Sequence, residues 1–117
     1  MMTVDWVRSQ DDTWCHLDRV NLECVDTGGV FIIWHGGHSP RVVRVGQSGD
    51  IAKRLTMLKE DSETLAYKEY GELYVTWASV PPAKRDGVVC FLVENWKPHI
   101  AKACPMVFPI TVNSPID

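Results

Sequence analysis

Apolar residues fall in separate blocks along the chain, and the period within each block predicts its element. Gly29-Val30-Phe31-Ile32-Ile33-Trp34 is a run of β-branched and aromatic residues opened by a Gly-Gly pair. It reads as a strand over about 29–35. Val42-Val43-Arg44-Val45-Gly46 reads as a second strand over about 41–46. Gly36-Gly37-His38-Ser39-Pro40 between them is loop chemistry, so the pair makes a hairpin. In the first strand Phe31 and Ile33 face one way, and Val30, Ile32 and Trp34 the other. Both faces are apolar, which predicts a central strand covered on both sides.

Beyond Gly46 the period changes from two to nearly four. Ile51, Leu55 and Leu58 share one stripe, so a helix is expected from about Asp50 to Lys59, with Ser48 or Asp50 as its cap. An acidic stretch follows at 60–63, then a short second helix over 65–70 that Gly71 ends. Leu73-Tyr74-Val75-Thr76-Trp77-Ala78-Ser79 is a strand, stopped by Val80-Pro81-Pro82. A last helix runs from Pro82 to about Lys97, because Pro98 cannot continue it. Val88, Leu92 and Trp96 form its stripe, flanked by Val89 and Val93. Trp34, Trp77 and Trp96 read as core.

The pattern is weaker before residue 29. Residues 1–12 allow either two turns of helix or an ordered arm. Short strands are expected at 13–17 and over 19–25, and a turn at 26–29. The tail from 104 to 115 is Pro-rich and extended, and is expected to wrap the domain. The order of hairpin, helix, strand and helix predicts an α+β fold: a small three-stranded or slightly larger mixed sheet flanked by helices.

Length and charge narrow the picture. At 117 residues with 45% apolar side chains the chain is expected to form one globular domain. No run of about 18 apolar residues is present, so no membrane partner is expected. The first residues lack the basic and apolar regions of a secretion signal, and the expected location is the cytoplasm. The four cysteines (Cys15, Cys24, Cys90, Cys104) form no C-x-x-C pair. Free thiols are the first reading; a zinc site using some of them with His16, His35, His38 or His99 is the sharper one, although the spacing fits no standard zinc module. The net charge of −3 argues mildly against nucleic acid. Its distribution says more: residues 29–59 carry Arg41, Arg44, Lys53, Arg54 and Lys59 against Asp50 alone, while the segments on either side are acidic. A local basic patch on an acidic protein can bind an anion in a salt-dependent way.

Over residues 29–98 the chain resembles the GIY-YIG nuclease superfamily, in particular its small stand-alone bacterial members. Gly29-Val30-Phe31 stands where the first name-giving motif stands, and Arg44-Val45-Gly46 where the second does. Arg54 follows Arg44 by ten residues, matching the arginine of the family's first helix. Arg85-Asp86-Gly87-Val88, Lys97-Pro98 and the tail residues Pro109, Ile110, Val112, Asn113 and Pro115 extend the match. The resemblance implies a GIY-YIG-like core at 29–98, an N-terminal extension at 1–28 and a C-terminal tail at 99–117 that packs on the core.

In active members the resemblance implies hydrolysis of a phosphodiester. A tyrosine assists an attacking water, the helix arginine holds the scissile phosphate, and a glutamate on the last helix holds one Mg²⁺ or Mn²⁺. Arg54 keeps the phosphate-contact position, and its register turns it partly away from the core. Three positions depart. Phe31 has a ring without a hydroxyl, so it cannot relay a proton. Arg44 stands for a tyrosine and stays protonated. The glutamate position, nine residues before Pro98, is Val89. Glu94 lies five residues further on, about 140° round the helix, and is the weak substitute.

The expectation is therefore a GIY-YIG-fold domain without efficient nuclease activity. It would bind nucleic-acid phosphates, DNA or RNA, in a salt-sensitive way through Arg54 with Arg41, Arg44, Gln47, Ser48 and Lys53. No cofactor or resident metal is expected; Mg²⁺ or Mn²⁺ enters only if the chain is active. Two alternatives stay open. One is an active metal-dependent endonuclease with a displaced carboxylate, Glu94 or Asp50, and a histidine or Tyr67 as base. The other is a protein-interaction module with acidic flanks for a basic partner. Trp6 and Trp14 are the aromatic candidates for a partner surface, and His35 and His38 read as exposed loop residues.

Overall fold

The computed structural model describes residues 1–100 and 107–115. Four strands form its sheet: β1 (Cys15–His16), β2 (Gly29–His35), β3 (Arg41–Ser48) and β4 (Leu73–Ser79). Between β3 and β4 the chain forms α1 (Ile51–Leu58), α2 (Ser62–Leu65) and a 3-10 turn (Ala66–Tyr70), and α3 (Pro82–Trp96) follows β4. The fold is α+β. The strand order is β1-β4-β2-β3, and each neighbouring pair is antiparallel. The expected mixed sheet is thus corrected to an antiparallel one. β3 and β4 do run in the same direction, since both pair antiparallel with β2, but β2 lies between them.

All seven residues of β2 are buried, as its two apolar faces require. Phe31 and Ile33 pack with Val43, Ile51, Leu55, Leu58, Val75 and Trp77 beneath α1. Val30, Ile32 and Trp34 pack with Val42, Val45, Val88 and Leu92 beneath α3. Each such fully buried aliphatic side chain contributes about 1.5–3 kcal/mol. The hairpin register slips between Ile33 and Trp34, which leaves Val43 as the extra residue of a bulge. Val42 and Val43 alternate between the two cores, and the slip puts Val43 and Arg44, neighbours in the chain, on the same face as Ile33.

Local chemistry sets the helix ends. Asp50 caps α1 by accepting the Lys53 amide at 3.1 Å, and Ser48 Oγ in turn accepts the Asp50 amide at 3.0 Å. Pro82 opens α3, and Lys97 closes it in the left-handed region at φ 47° just before Pro98.

Residues 1–28 are built into this sheet. β1 adds to the edge of β4, and Leu17 and Val20 enter the core under α1. The Val7 amide donates to Trp77 O at 3.0 Å, while Thr76 Oγ1 donates to Val7 O at 2.8 Å. The expected strand at 19–25 is absent: the Arg19 and Val20 amides both turn back to His16 O. Trp6 and Trp14 are half-buried on the core rather than free for a partner. Trp6 Nε1 donates to Asn113 O at 2.8 Å, and Trp14 meets Trp34 edge to face at 5.5 Å.

The tail joins the same layer. Asn113 Oδ1 accepts the Val4 amide at 2.7 Å and its Nδ2 donates to Val4 O at 2.9 Å, so one side chain replaces two ladder bonds. Ile110 N donates to Gly87 O at 2.9 Å, and a Cβ on Gly87 would lie 2.6 Å from Ile110 Cγ1. The glycine in α3 therefore exists so that the tail can approach. Residues 104–106 of the expected extended tail lie outside the described residues. Cys15 and Cys24 are free thiols, whereas Cys90 is disulfide-bonded, which corrects the free-thiol expectation at that position.

Candidate functional site

Phe31, Arg44 and Arg54 of the residues singled out by sequence lie on the α1 side of the sheet. Phe31 is paired with Gly46 across the ladder, and its ring covers that glycine so closely that a Cβ there would meet Phe31 Cζ at 2.5 Å. Phe31 is 1% exposed, so it is a core side chain. Ile33 is paired with Arg44, which puts the guanidinium on this same face.

Arg44 is buried, at 7% exposure, and not solvated. Its Nη2 lies 3.3 Å from Glu63 Oε1 and 3.6 Å from Asp61 Oδ2, both offered by the turn that opens α2. Its Nε is buried without a hydrogen-bond partner among the described residues. Leaving a charged donor of this kind unsatisfied costs about 1–3 kcal/mol. Arg54 is half-buried on α1, and among the described residues no carboxylate stands within ion-pair distance of it. Its charge and that of Arg44 both act on the Asp61 carboxyl. Both charges are therefore felt at Asp61, which Arg44 reaches at 3.6 Å.

Asp61 is anchored mainly by its neighbour. Thr64 Oγ1 donates to it at 2.7 Å and the Thr64 amide at 2.9 Å, and these bonds hold the carboxyl below its ordinary range. Burial opposes them, and Arg44 and Arg54 add smaller attractions. A carboxyl depressed in the folded state stabilises it above the unfolded value, near about 4, and loses that stabilisation as pH falls through the folded value. Asp61→Asn keeps the capping oxygen and removes the charge. Its melting temperature is expected to lie below that of the native protein at neutral pH, with the gap closing below about pH 4. A gap that persists to the acid end of the titration contradicts this account.

The remaining candidates are dispersed. Arg41 is exposed where β3 begins, and its Nη2 donates to Lys97 O at 3.1 Å. Gln47 is exposed and donates through Nε2 to Asp86 Oδ1, while Ser48 serves the α1 cap. Lys53 is exposed and borders a groove of about 600 Å³ that also holds Glu23, Asp50 and Lys59. Val89 is half-buried against the α3-side core, and Glu94 is exposed on the same helix. Arg54 and Val89 thus sit on helices that cover opposite faces of the sheet.

No protein-family model, no curated protein and no solved structure matches this chain. The site must be read from its own atoms. The Mg²⁺ or Mn²⁺ that the resemblance implies for active members finds no fitting donors: among the described residues no group of three or more His, Cys, Asp or Glu converges on one point. Val89 offers no donor at all. Hard divalent ions of this kind require several oxygens, and the Asp61 and Glu63 carboxylates are already engaged with Arg44 and Thr64.

Two features were missed in the sequence. Asp61 and Glu63 read only as an acidic stretch, although Arg44, a charge placed on an apolar strand, signalled that carboxylates must come to meet it. His35 read as a loop residue but is the last residue of β2, 4% exposed, in contact with His99 and Tyr70. The alternation of Phe31, Ile33 and His35 on one face was the available signal. His38 is exposed, as expected.

Proposed function

We propose that this chain is a GIY-YIG-fold domain that has lost efficient phosphodiester hydrolysis and binds nucleic-acid phosphates through the cations around Arg54. The observation that carries this reading is Arg54 itself. It is a half-buried residue on α1 without a carboxylate in ion-pair distance among the described residues, and its charge, like that of Arg44, acts on the Asp61 carboxyl. A planar cation with several fixed donors suits a phosphate better than a lysine does. Lys53, one residue away and exposed, adds a second charge. The order of hairpin, helix, strand and helix also supports the family reading.

Loss of hydrolysis follows from the side chains. Phe31 has no proton to move, Arg44 cannot act as a base, and Val89 cannot hold a metal. Glu94 does not restore the missing carboxylate, since it is exposed on α3 about 140° round the helix from Val89. Nothing in the geometry favours the displaced-carboxylate endonuclease.

One observation favours the protein-interaction reading as the second choice. Asp61 and Glu63 neutralise Arg44, so the remaining cations of the patch divide into exposed Arg41 at the start of β3 and, on α1, exposed Lys53 with half-buried Arg54. An interrupted patch grips a continuous phosphate backbone less well than an unbroken one.

The test is a gel assay of labelled single-stranded, duplex and branched DNA, with and without Mn²⁺, for the native protein and Arg54→Ala. The expected result is no cleavage and a salt-sensitive shift weakened by the substitution. Cleavage abolished by Arg54→Ala would overturn the loss of hydrolysis. Neither shift nor cleavage would overturn nucleic-acid binding and leave the protein-interaction module as the reading to pursue.

A further inference from the structure

At the other end of the same hairpin, two imidazoles meet head to head. His35 Nε2 lies 3.3 Å from His99 Nε2. The segments that carry them are far apart in sequence. His35 closes β2, whereas His99 follows the left-handed turn at Lys97 and Pro98 and is tied to β3 by its amide, which donates to Val42 O at 3.1 Å. The next amide, Ile100 N, donates to Val43 O at 2.8 Å and locks the segment along the strand. Both rings are therefore aimed by backbone bonds, not by the chance of a flexible side chain.

The hydrogen bonds of His35 decide its tautomer. Its Nδ1 lies 3.1 Å from Gly36 O, and a carbonyl only accepts, so Nδ1 carries the proton. The lone pair of the neutral ring is then on Nε2, pointing at His99. Histidines that hold metals are oriented in this way, with the second nitrogen donating to a carbonyl or carboxylate. The separation also fits. A tetrahedral ion with metal–nitrogen bonds of about 2.0–2.1 Å has ligand atoms roughly 3.3–3.4 Å apart along each edge.

The surroundings enclose the pair and leave one open side. His35 is 4% exposed. Tyr67 stacks on His99 with ring centroids 4.6 Å apart, and Tyr70 lies 5.4 Å from His35. Burial first, then Arg41 and His35, push the His99 imidazole below its ordinary value. His99 itself is half-buried, so water can reach the pair from its side.

We propose that His35 and His99 form a two-imidazole site for a borderline divalent cation of the zinc and copper class, with water in the remaining coordination positions. Binding needs one rearrangement: the proton between the two Nε2 atoms moves to Nδ1 of His99, which has no protein partner among the described residues. No bond other than N–H is broken. Magnesium does not suit the site, because it takes oxygen ligands, and copper is expected to bind more tightly than zinc.

The test uses the full chain carrying Cys15→Ser and Cys24→Ser, so that the free thiols do not compete. Zinc is titrated calorimetrically, and the imidazole nitrogens are followed by ¹⁵N NMR. The expected result is one zinc per chain, coordination shifts at Nε2 of both histidines, a higher unfolding temperature with zinc and none with magnesium. His99→Ala, at a half-exposed position, is expected to weaken zinc binding roughly tenfold or more. His35→Gln provides the second variant and should do the same. The proposal is overturned if millimolar zinc leaves both Nε2 resonances unmoved, or if His99→Ala binds zinc as the parent does. These outcomes are independent of the DNA assay with Arg54→Ala.

Discussion

Gly29→Ala is expected to destabilise the protein by about 3 kcal/mol or more, and to lower its melting temperature by roughly 10 °C. Gly29 opens β2 and is paired with Ser48 on one side and Ser79 on the other. A Cβ there would lie 1.9 Å from Ala78 O, 2.9 Å from Ala78 C and 3.0 Å from Val80 N. All three atoms belong to the backbone, so no side chain can swing aside. Relief requires β4 to move away from β2, and the β2–β4 ladder holds one edge of both cores. The control is Gly49→Ala, twenty residues on. There the nearest atom to the added Cβ is Arg85 Nη1 at 4.0 Å, and the change is expected to be near neutral. Thermal denaturation of the two variants checks the account. Equal melting temperatures would contradict it.

Arg54→Ala is expected to weaken DNA binding by roughly 10-fold or more and to reduce the slope of log K against log salt by about one. The reduction in slope is the sharper measurement, because it counts phosphate contacts and a merely structural loss would not change it by a unit. Arg54 is half-buried, so its donors are partly dehydrated before a phosphate arrives, which strengthens each contact. Glu63→Gln should act in the opposite direction. Glu63 is exposed and 3.3 Å from Arg44, and removing its charge leaves the buried guanidinium less neutralised. The variant is expected to bind DNA more tightly than the native chain, with little change in melting temperature because the pair is largely solvated on the glutamate side. Fluorescence anisotropy over a salt series measures both effects. An unchanged slope for Arg54→Ala would remove that residue from the interface.

Much of the fold was legible because its signals are local. Alternating apolar residues on both faces marked β2 as central, and all seven of its residues are buried. Ile51, Leu55 and Leu58 at helical spacing marked the buried face of α1, and the same three residues are its buried ones. Pro82 and Pro98 bracketed α3 for steric reasons that need no tertiary contact. The antiparallel character of the sheet was not legible. It depends on β2 lying between β3 and β4, a matter of which edges meet after 49–72 have crossed over.

The N-terminal segment shows the same limit. Its alternation over 19–25 resembled a strand, but an edge strand needs a partner edge, and the chain instead coils back on His16 O. Trp6 and Trp14 looked available because no sequence pattern shows that Asn113 and Trp34, from distant segments, are their neighbours.

For the candidate site, sequence by itself determined which side chains carry chemistry and which lack it: Arg54 as a cation on a helix, Phe31 without a hydroxyl, Val89 without a carboxylate. These are properties of single residues and survive any fold. Only the tertiary structure decided whom each charge meets. It turned Arg44 from a surface cation into a buried one held by Asp61 and Glu63, and it brought His35 to within 3.3 Å of His99. The physical reason is range. Side-chain identity and helical or strand period are fixed by neighbours in the chain, whereas ion pairing and ligand geometry depend on distances of a few ångströms between segments that only the packed core brings together.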